Sequence, residues 1–223
     1  MNKNVVRRIV NVVIVFLLQG VILFVASGTL HWNWAWFFIF VQIVILLINY
    51  TILPKKVIEE RGGEKKNVKK WDKILIGFSI IPSLGVYIIS GLDYRFSWSP
   101  YLKPIIHIIS LIILLLASML FTWSMVSNKF FSTMVRIQKE LGHTIAAEGP
   151  YKYVRHPGYV GYILMILATP FALGSLYALI ASALVMTIFF IRTALEDKTL
   201  MTELEGYEEY SRKVKYRLIP FIW

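Results

Sequence analysis

The chain predicts an all-α integral membrane protein with about six membrane helices, the last two a short hairpin, followed by a C-terminal cytoplasmic helical tail. Three observations carry this. Hydrophobic residues make up 57% of 223 positions, and mean hydropathy is +0.62, well into the membrane range. Six apolar runs recur, at residues 9–30, 33–53, 74–91, 105–126, 158–171 and 175–191. The first, second and fourth are long enough to span a bilayer alone. Finally, with a cytoplasmic N-terminus, six spans return the C-terminus to the cytoplasm. That arrangement puts 22 of the 24 Lys and Arg residues inside, leaving only Arg95 and Lys103 outside. This is the positive-inside pattern of a multi-pass cell-membrane protein with both termini cytoplasmic.

The elements follow in order. Residues 1–10 carry Lys3, Arg7 and Arg8. The apolar run behind them is too long for a signal-peptide core and lacks a small-residue cleavage site, so it reads as a first span. Residues 9–30 and 33–53 are joined at His31-Trp32-Asn33-Trp34-Ala35-Trp36, where tryptophans alternate with polar residues as in an outer headgroup layer. His31 reads as a solvated loop histidine. Neither run holds an ionisable residue, so both read as scaffold.

Residues 54–73 form a charged loop against lipid headgroups, turning at Arg61-Gly62-Gly63. Run 74–91 is near the lower limit for a span, and Pro82 predicts a kink in it. In run 105–126 the ionisable residue is His107, one turn from the outer end, where a structural role suffices. Residues 135–144 alternate like a short strand or folded loop, within a polar stretch, 129–153, too dense in polar groups for a spacer. The last two runs make a tight or tilted hairpin about residues 171–175. Beyond it, Arg192 and Glu196 share a helix face at i and i+4, and a basic, aromatic tail runs to Pro220.

Composition also excludes. The chain has no cysteine, so thiolate metal sites, disulfides and a cysteine nucleophile are ruled out. Its four histidines lack metal-ligand spacing, so no metal is expected. The net charge of +11 follows from topology and anionic lipid, without a nucleic-acid partner.

Chemistry concentrates at residues 148–161. Pro157 suits the first turn of a helix, so Arg155 and His156 stand at a helix mouth that receives anions. Tyr151, Tyr153, Tyr159 and Tyr162 surround them. A polar cofactor must therefore bind at the cytoplasmic face, among the 136–144 loop, this mouth, the Arg192/Glu196 pair and the tail. These groups offer cations, one carboxylate and aromatic faces, but no nucleophile with its base and no phosphate loop. Such a set suits a donor that carries its own activation, such as S-adenosyl-L-methionine, which needs alignment and exclusion of water.

The features His143-Thr144-Ile145-Ala146, Gly149-Pro150-Tyr151, Arg155-His156-Pro157-Gly158-Tyr159, Arg192 with Glu196-Asp197, Gly206-Tyr207 with Tyr210, and Arg217 with Pro220 occur in that order over about 90 residues. Together they make residues 130–220 resemble the isoprenylcysteine carboxyl methyltransferase family in its bacterial branch, a membrane group akin to phospholipid N-methyltransferases. The resemblance implies a four-span scaffold over 1–128 and a methyltransferase-like catalytic region over 129–223. It implies S-adenosyl-L-methionine as cofactor, bound by His143, Thr144, Ile145, Ala146, Tyr151, His156, Pro157, Gly158, Tyr159 and Glu196. Gln138 and Arg136 compete for one further donor contact, with Gln138 carried forward. Arg192 takes the catalytic, acceptor-side arginine, with Arg155 beside it. The acceptor is then lipophilic: an isoprenylcysteine carboxylate or another lipid or small amphiphile. Two other readings stand beside this one: an NADPH-dependent sterol-type reductase of similar architecture, and a non-enzymatic membrane protein or transporter.

Overall fold

The computed structural model describes residues 2–223, all helix and loop: α1 (Lys3–Ser27), α2 (Asn33–Ile52), α3 (Lys55–Gly62), α4 (Lys70–Phe96), α5 (Pro104–Ser127), α6 (Pro157–Leu173), α7 (Ala178–Glu203) and α8 (Tyr207–Lys213). Five of these, α1, α2, α4, α5 and α7, are long and apolar enough to cross a membrane, and α6 is a shorter apolar helix. The hairpin is therefore unequal. Its first arm has 17 residues and its second 26, because α7 continues past its apolar part as a polar rod. The run expected near the lower limit is also longer, since α4 has 27 residues and passes through Pro82. Residues 135–144 form a loop with one 3-10 turn at Lys139–Leu141, not a strand.

Small residues set the spacing of the helices. At Gly161 a Cβ would lie 2.7 Å from the Ala117 carbonyl oxygen and 2.9 Å from the Phe121 nitrogen, so α6 lies directly on the α5 backbone. At Gly62 a Cβ would lie 2.0 Å from the Asn4 carbonyl oxygen. Residues 54–62, expected as a solvated loop, are thus a helix clamped to the start of α1. Polar ties cross the apolar interior: Gln19 Nε2 donates to the Tyr87 hydroxyl at 2.9 Å, and Thr122 Oγ1 to Asn49 Oδ1 at 2.7 Å.

One end of the bundle is aromatic. The expected layer of three headgroup tryptophans is only partly that. Trp32 is buried and stacks on Tyr94 at 4.6 Å, and Trp34 lies flat on His107 at 4.2 Å. His107 also meets the Ala172 carbonyl through Nδ1 at 3.0 Å, a structural role. Asp93, beyond the sequence-expected end of its helix, is 2% exposed. It accepts from the Ser99 amide at 2.7 Å and from the Ser99 and Ser175 hydroxyls at 2.5 Å, joining two turns. The opposite, basic end gathers the two chain ends, α3, residues 128–156 and α8.

Gly161→Ala should lower thermal stability in detergent by about 1–3 kcal/mol, because backbone cannot retreat from the added methyl. Gly77→Ala, with nothing within 4 Å, is the control and should leave the midpoint unchanged or slightly raised. Equal midpoints for wild type and Gly161→Ala would contradict the contact.

Candidate functional site

A cavity of about 580 Å³ opens at the basic end and runs down between the helices, within the size range of small-molecule sites. Three carboxylates organise its walls. Asp197, on the polar extension of α7, is 1% exposed. Arg155 grips it with two parallel bonds, Nε to Oδ1 at 2.8 Å and Nη2 to Oδ2 at 2.9 Å. Arg217 Nε adds 2.8 Å, the Tyr207 hydroxyl 3.0 Å and His156 Nε2 3.2 Å. Arg155 Nη1 donates to the Val214 and Lys215 carbonyls at 2.8 Å each. The amides of Arg155 and His156 donate to the Tyr216 and Arg217 carbonyls, each at 2.9 Å. The C-terminal tail is thereby laced to the mouth of α6.

Burial pulls the Arg155 guanidinium down, but the bonds to Asp197 and its charge outweigh that and raise it. Burial, then the Asp197 charge, pushes the Tyr207 phenol well up. Arg155 therefore stays charged and Tyr207 protonated at neutral pH.

Asp72, at the start of α4, is fully buried. It receives Arg192 Nε at 2.6 Å, Arg192 Nη2 at 3.2 Å and the Val135 amide at 2.7 Å. Arg192 Nη2 also donates to the Thr133 carbonyl at 3.1 Å. The guanidinium lies 5.2 Å from the Tyr159 ring centroid and 5.6 Å from that of Phe189. The third carboxylate, Glu196, faces the cavity and accepts a hydrogen bond from the Tyr159 hydroxyl.

Most residues expected from sequence meet in this one place. His143, Thr144, Ile145, Ala146, Tyr151, Arg155, His156, Gly158, Tyr159, Arg192 and Glu196 all line the cavity. Pro157 and Gln138 do not. Pro157 is buried as the first residue of α6. Gln138 is 1% exposed, and its Nε2 donates to the Phe130 carbonyl at 2.7 Å. Of the competing pair it is Arg136 that lines the wall, held by Glu60 at 3.2 Å and Glu140 at 2.7 Å. His143 Nδ1 accepts the Gln138 amide at 3.2 Å. Burial, then the nearby Arg136, holds its imidazole below the ordinary histidine value and so neutral.

Both arginines expected at the site are held by buried carboxylates. Arg155 lines the cavity while all three of its side-chain nitrogens are engaged by Asp197 and the tail. The fork of Arg192, the acceptor-side arginine of the resemblance, is directed onto Asp72. Sequence reasoning also missed Asp72 itself, although a lone acid opening an apolar helix in a basic segment is a usable signal. It missed Arg8 and Arg61 as well, which reach the cavity from α1 and α3.

Residues 109–202 match the model of the isoprenylcysteine carboxyl methyltransferase (ICMT) family. The chain is 32% identical over 90 residues to a protein-S-isoprenylcysteine O-methyltransferase of Schizosaccharomyces pombe, covering 40% of this chain and 38% of that protein. It is 32% identical over 98 residues to a probable protein-S-isoprenylcysteine O-methyltransferase of Oryza sativa subsp. indica, covering 43% and 51%. It is 31% identical over 128 residues to a protein-S-isoprenylcysteine O-methyltransferase of Xenopus laevis, covering 55% and 44%. The chain spans about half or less of the length of these relatives.

Asp197→Asn should strip the counter-charge from a buried arginine and cost about 3–5 kcal/mol. The expected readings are a lower thermal midpoint in detergent and faster proteolysis within residues 214–223. Wild-type midpoint and wild-type protease resistance together would remove Asp197 from the centre of this end.

Proposed function

We propose, since this chain belongs through residues 109–202 to the isoprenylcysteine carboxyl methyltransferase family, that it is an S-adenosyl-L-methionine-dependent methyltransferase acting on a lipophilic acceptor at the cytoplasmic membrane face. The observation that carries this reading is a single continuous cavity. It is walled at its polar end by residues 143–146, Glu196 and Tyr207, and deeper down by Val15, Ile76 and Phe189 of the membrane helices. A hydrophilic donor and a hydrophobic acceptor have a common chamber there.

The donor set fits the cofactor. Glu196 accepts one bond, from Tyr159, and so retains acceptor capacity for an ammonium or ribose hydroxyl. Tyr151, Tyr159 and Tyr207 offer ring faces that tolerate a sulfonium charge. The Ser132 hydroxyl lines the cavity and has no hydrogen-bond partner among the described residues, leaving a polar atom for a ligand. The cofactor, when bound, supplies an electrophilic methyl group that needs no further activation. The protein's part is to hold and align, and to exclude water. Glu196 and the 143–146 backbone would orient the donor. The Asp197 knot would fix the tail as a cover over the α6 mouth. Arg192, already spanning Asp72 and Thr133, would set a positive wall beside Tyr159, where an oxyanion acceptor could rest.

Calorimetry with S-adenosylhomocysteine, and NADPH as control, tests the donor assignment. Purified protein should bind the former and not the latter. Glu196→Gln should weaken that binding about ten- to a hundred-fold, the value of a charge-assisted hydrogen bond, with an unchanged melting midpoint. Unaltered affinity in this variant would remove Glu196 from the donor site.

The cytoplasmic placement has its own test. Reporter fusions at the two chain ends should both report the cytoplasm, as the positive-inside count requires. Opposite compartments would overturn the topology.

A further inference from the structure

Two arginines of the cavity wall lie outside the family-matched residues 109–202, and the donor assignment gives them no role. Arg8 comes from the first turns of α1 and Arg61 from the end of α3, and both line the cavity. They are brought together by the α1–α3 clamp, since the Gly62 Cβ position lies 2.9 Å from Arg8 Cβ. Arg61 rests between aromatic rings, 5.7 Å from the Phe121 centroid and 5.4 Å from that of Phe131. Among the described residues neither arginine has an acidic partner. The nearby acids are committed elsewhere, Glu60 to Lys65 and Arg136, and Asp72 to Arg192. Burial, and then the charges of Arg8 and Arg192, pull Arg61 down to about 9. Three cations thus converge where only one, Arg192, has its counter-ion, and an arriving anion relieves that repulsion. By contrast Arg7, one residue away, is exposed, as a headgroup-directed arginine would be.

The hydrophobic path begins at the same point. Val15 is seven residues, or two turns, beyond Arg8, about 10 Å along the same face of α1. It lines the cavity together with Ile76, yet is 55% exposed on the bundle's outer surface. An amphiphile can therefore lay its chain past Val15 and Ile76 with its head between the arginines.

We propose that Arg8 and Arg61 form an anion subsite that selects methyl acceptors bearing an acid group at the head of a hydrocarbon chain. The inference deepens the methyltransferase reading and rests on it for the word acceptor. The binding chemistry itself needs only an anionic amphiphile.

The test is equilibrium binding, without donor, of N-acetyl-S-farnesylcysteine and of its carboxamide, to full-length protein in dodecyl maltoside. Wild type should prefer the acid by about tenfold or more, the scale of a charge-assisted contact. Arg61→Gln should lower acid affinity until that preference disappears while leaving the amide unchanged, and Arg8→Gln should do the same to a smaller degree. Arg61→Lys should keep part of the preference, and Arg7→Gln all of it. Should Arg61→Gln not fold, Arg8→Gln against Arg7→Gln decides. Equal loss for acid and amide, or a preference that survives both glutamine variants, would overturn the subsite. So would loss of co-purified phosphatidylglycerol from Arg61→Gln with the acid preference intact, which assigns the pair to a bilayer headgroup. Failure of wild type to bind S-adenosylhomocysteine would sink the methyltransferase reading alone, since the acid-to-amide ratio is measured without it.

Discussion

The buried carboxylate of Asp197 is the constraint on which the basic end depends. A carboxylate removed from water is costly unless its lone pairs are filled and its charge is met. Here two arginines, a histidine and a tyrosine converge on it. They come from three places in the chain, the neighbours Arg155 and His156, then Tyr207, then Arg217, so satisfying one anion simultaneously fixes the α6 mouth, α8 and the C-terminal tail. Asp72 does the same on the other side of α7, joining α4, the 133–135 segment and Arg192. These two anchors frame the cavity, and Glu196 occupies the wall between them.

Adjacent residues on α7 consequently do different work. Successive helical positions point about 100° apart, so Asp197 faces into the packed knot while Glu196 faces the cavity. The first is saturated with donors. The second holds one neutral hydroxyl and keeps acceptor capacity for a ligand. Likewise Arg155 and Arg192 belong first to their carboxylates. A cation held in a fixed bidentate grip is a rigid electrostatic element, which is what a reaction needing orientation more than proton transfer can use.

Much of this was legible in the sequence. The apolar runs located the membrane helices, and turn residues with tyrosines located much of the cavity lining, because hydrophobicity and Gly-Pro chemistry are local properties. Pairing was not legible. Nothing local says that Asp72 meets Arg192 across 120 positions, or that the tail folds back on Asp197. Helix ends were also misjudged. Asp72 and Asp93 lie just outside the apolar runs yet inside α4, since a buried partner lets an acid extend a span that hydropathy would stop. The same blindness hid Arg8: hydropathy set it before the membrane, whereas its helix carries it inward.

The position of the cavity follows from these facts. Polar contacts dense enough to hold a charged donor cannot sit among lipid-facing helices, where each unmatched group is penalised. They can sit at the end of a bundle, if loops and a tail are knotted over it by buried ion pairs. An apolar acceptor, conversely, cannot approach from water without losing the burial of its chain. A chamber joining both solvents must therefore lie at the boundary, with its fixed charges at the polar side and its helix faces at the other. Arg8 and Arg61 stand on that boundary, where a head group leaving the headgroup layer would first meet protein. Their unmatched charge disfavours an empty chamber and favours one that contains an anion. The repulsion among Arg8, Arg61 and Arg192 is thus a property of the resting protein that ligand entry reverses.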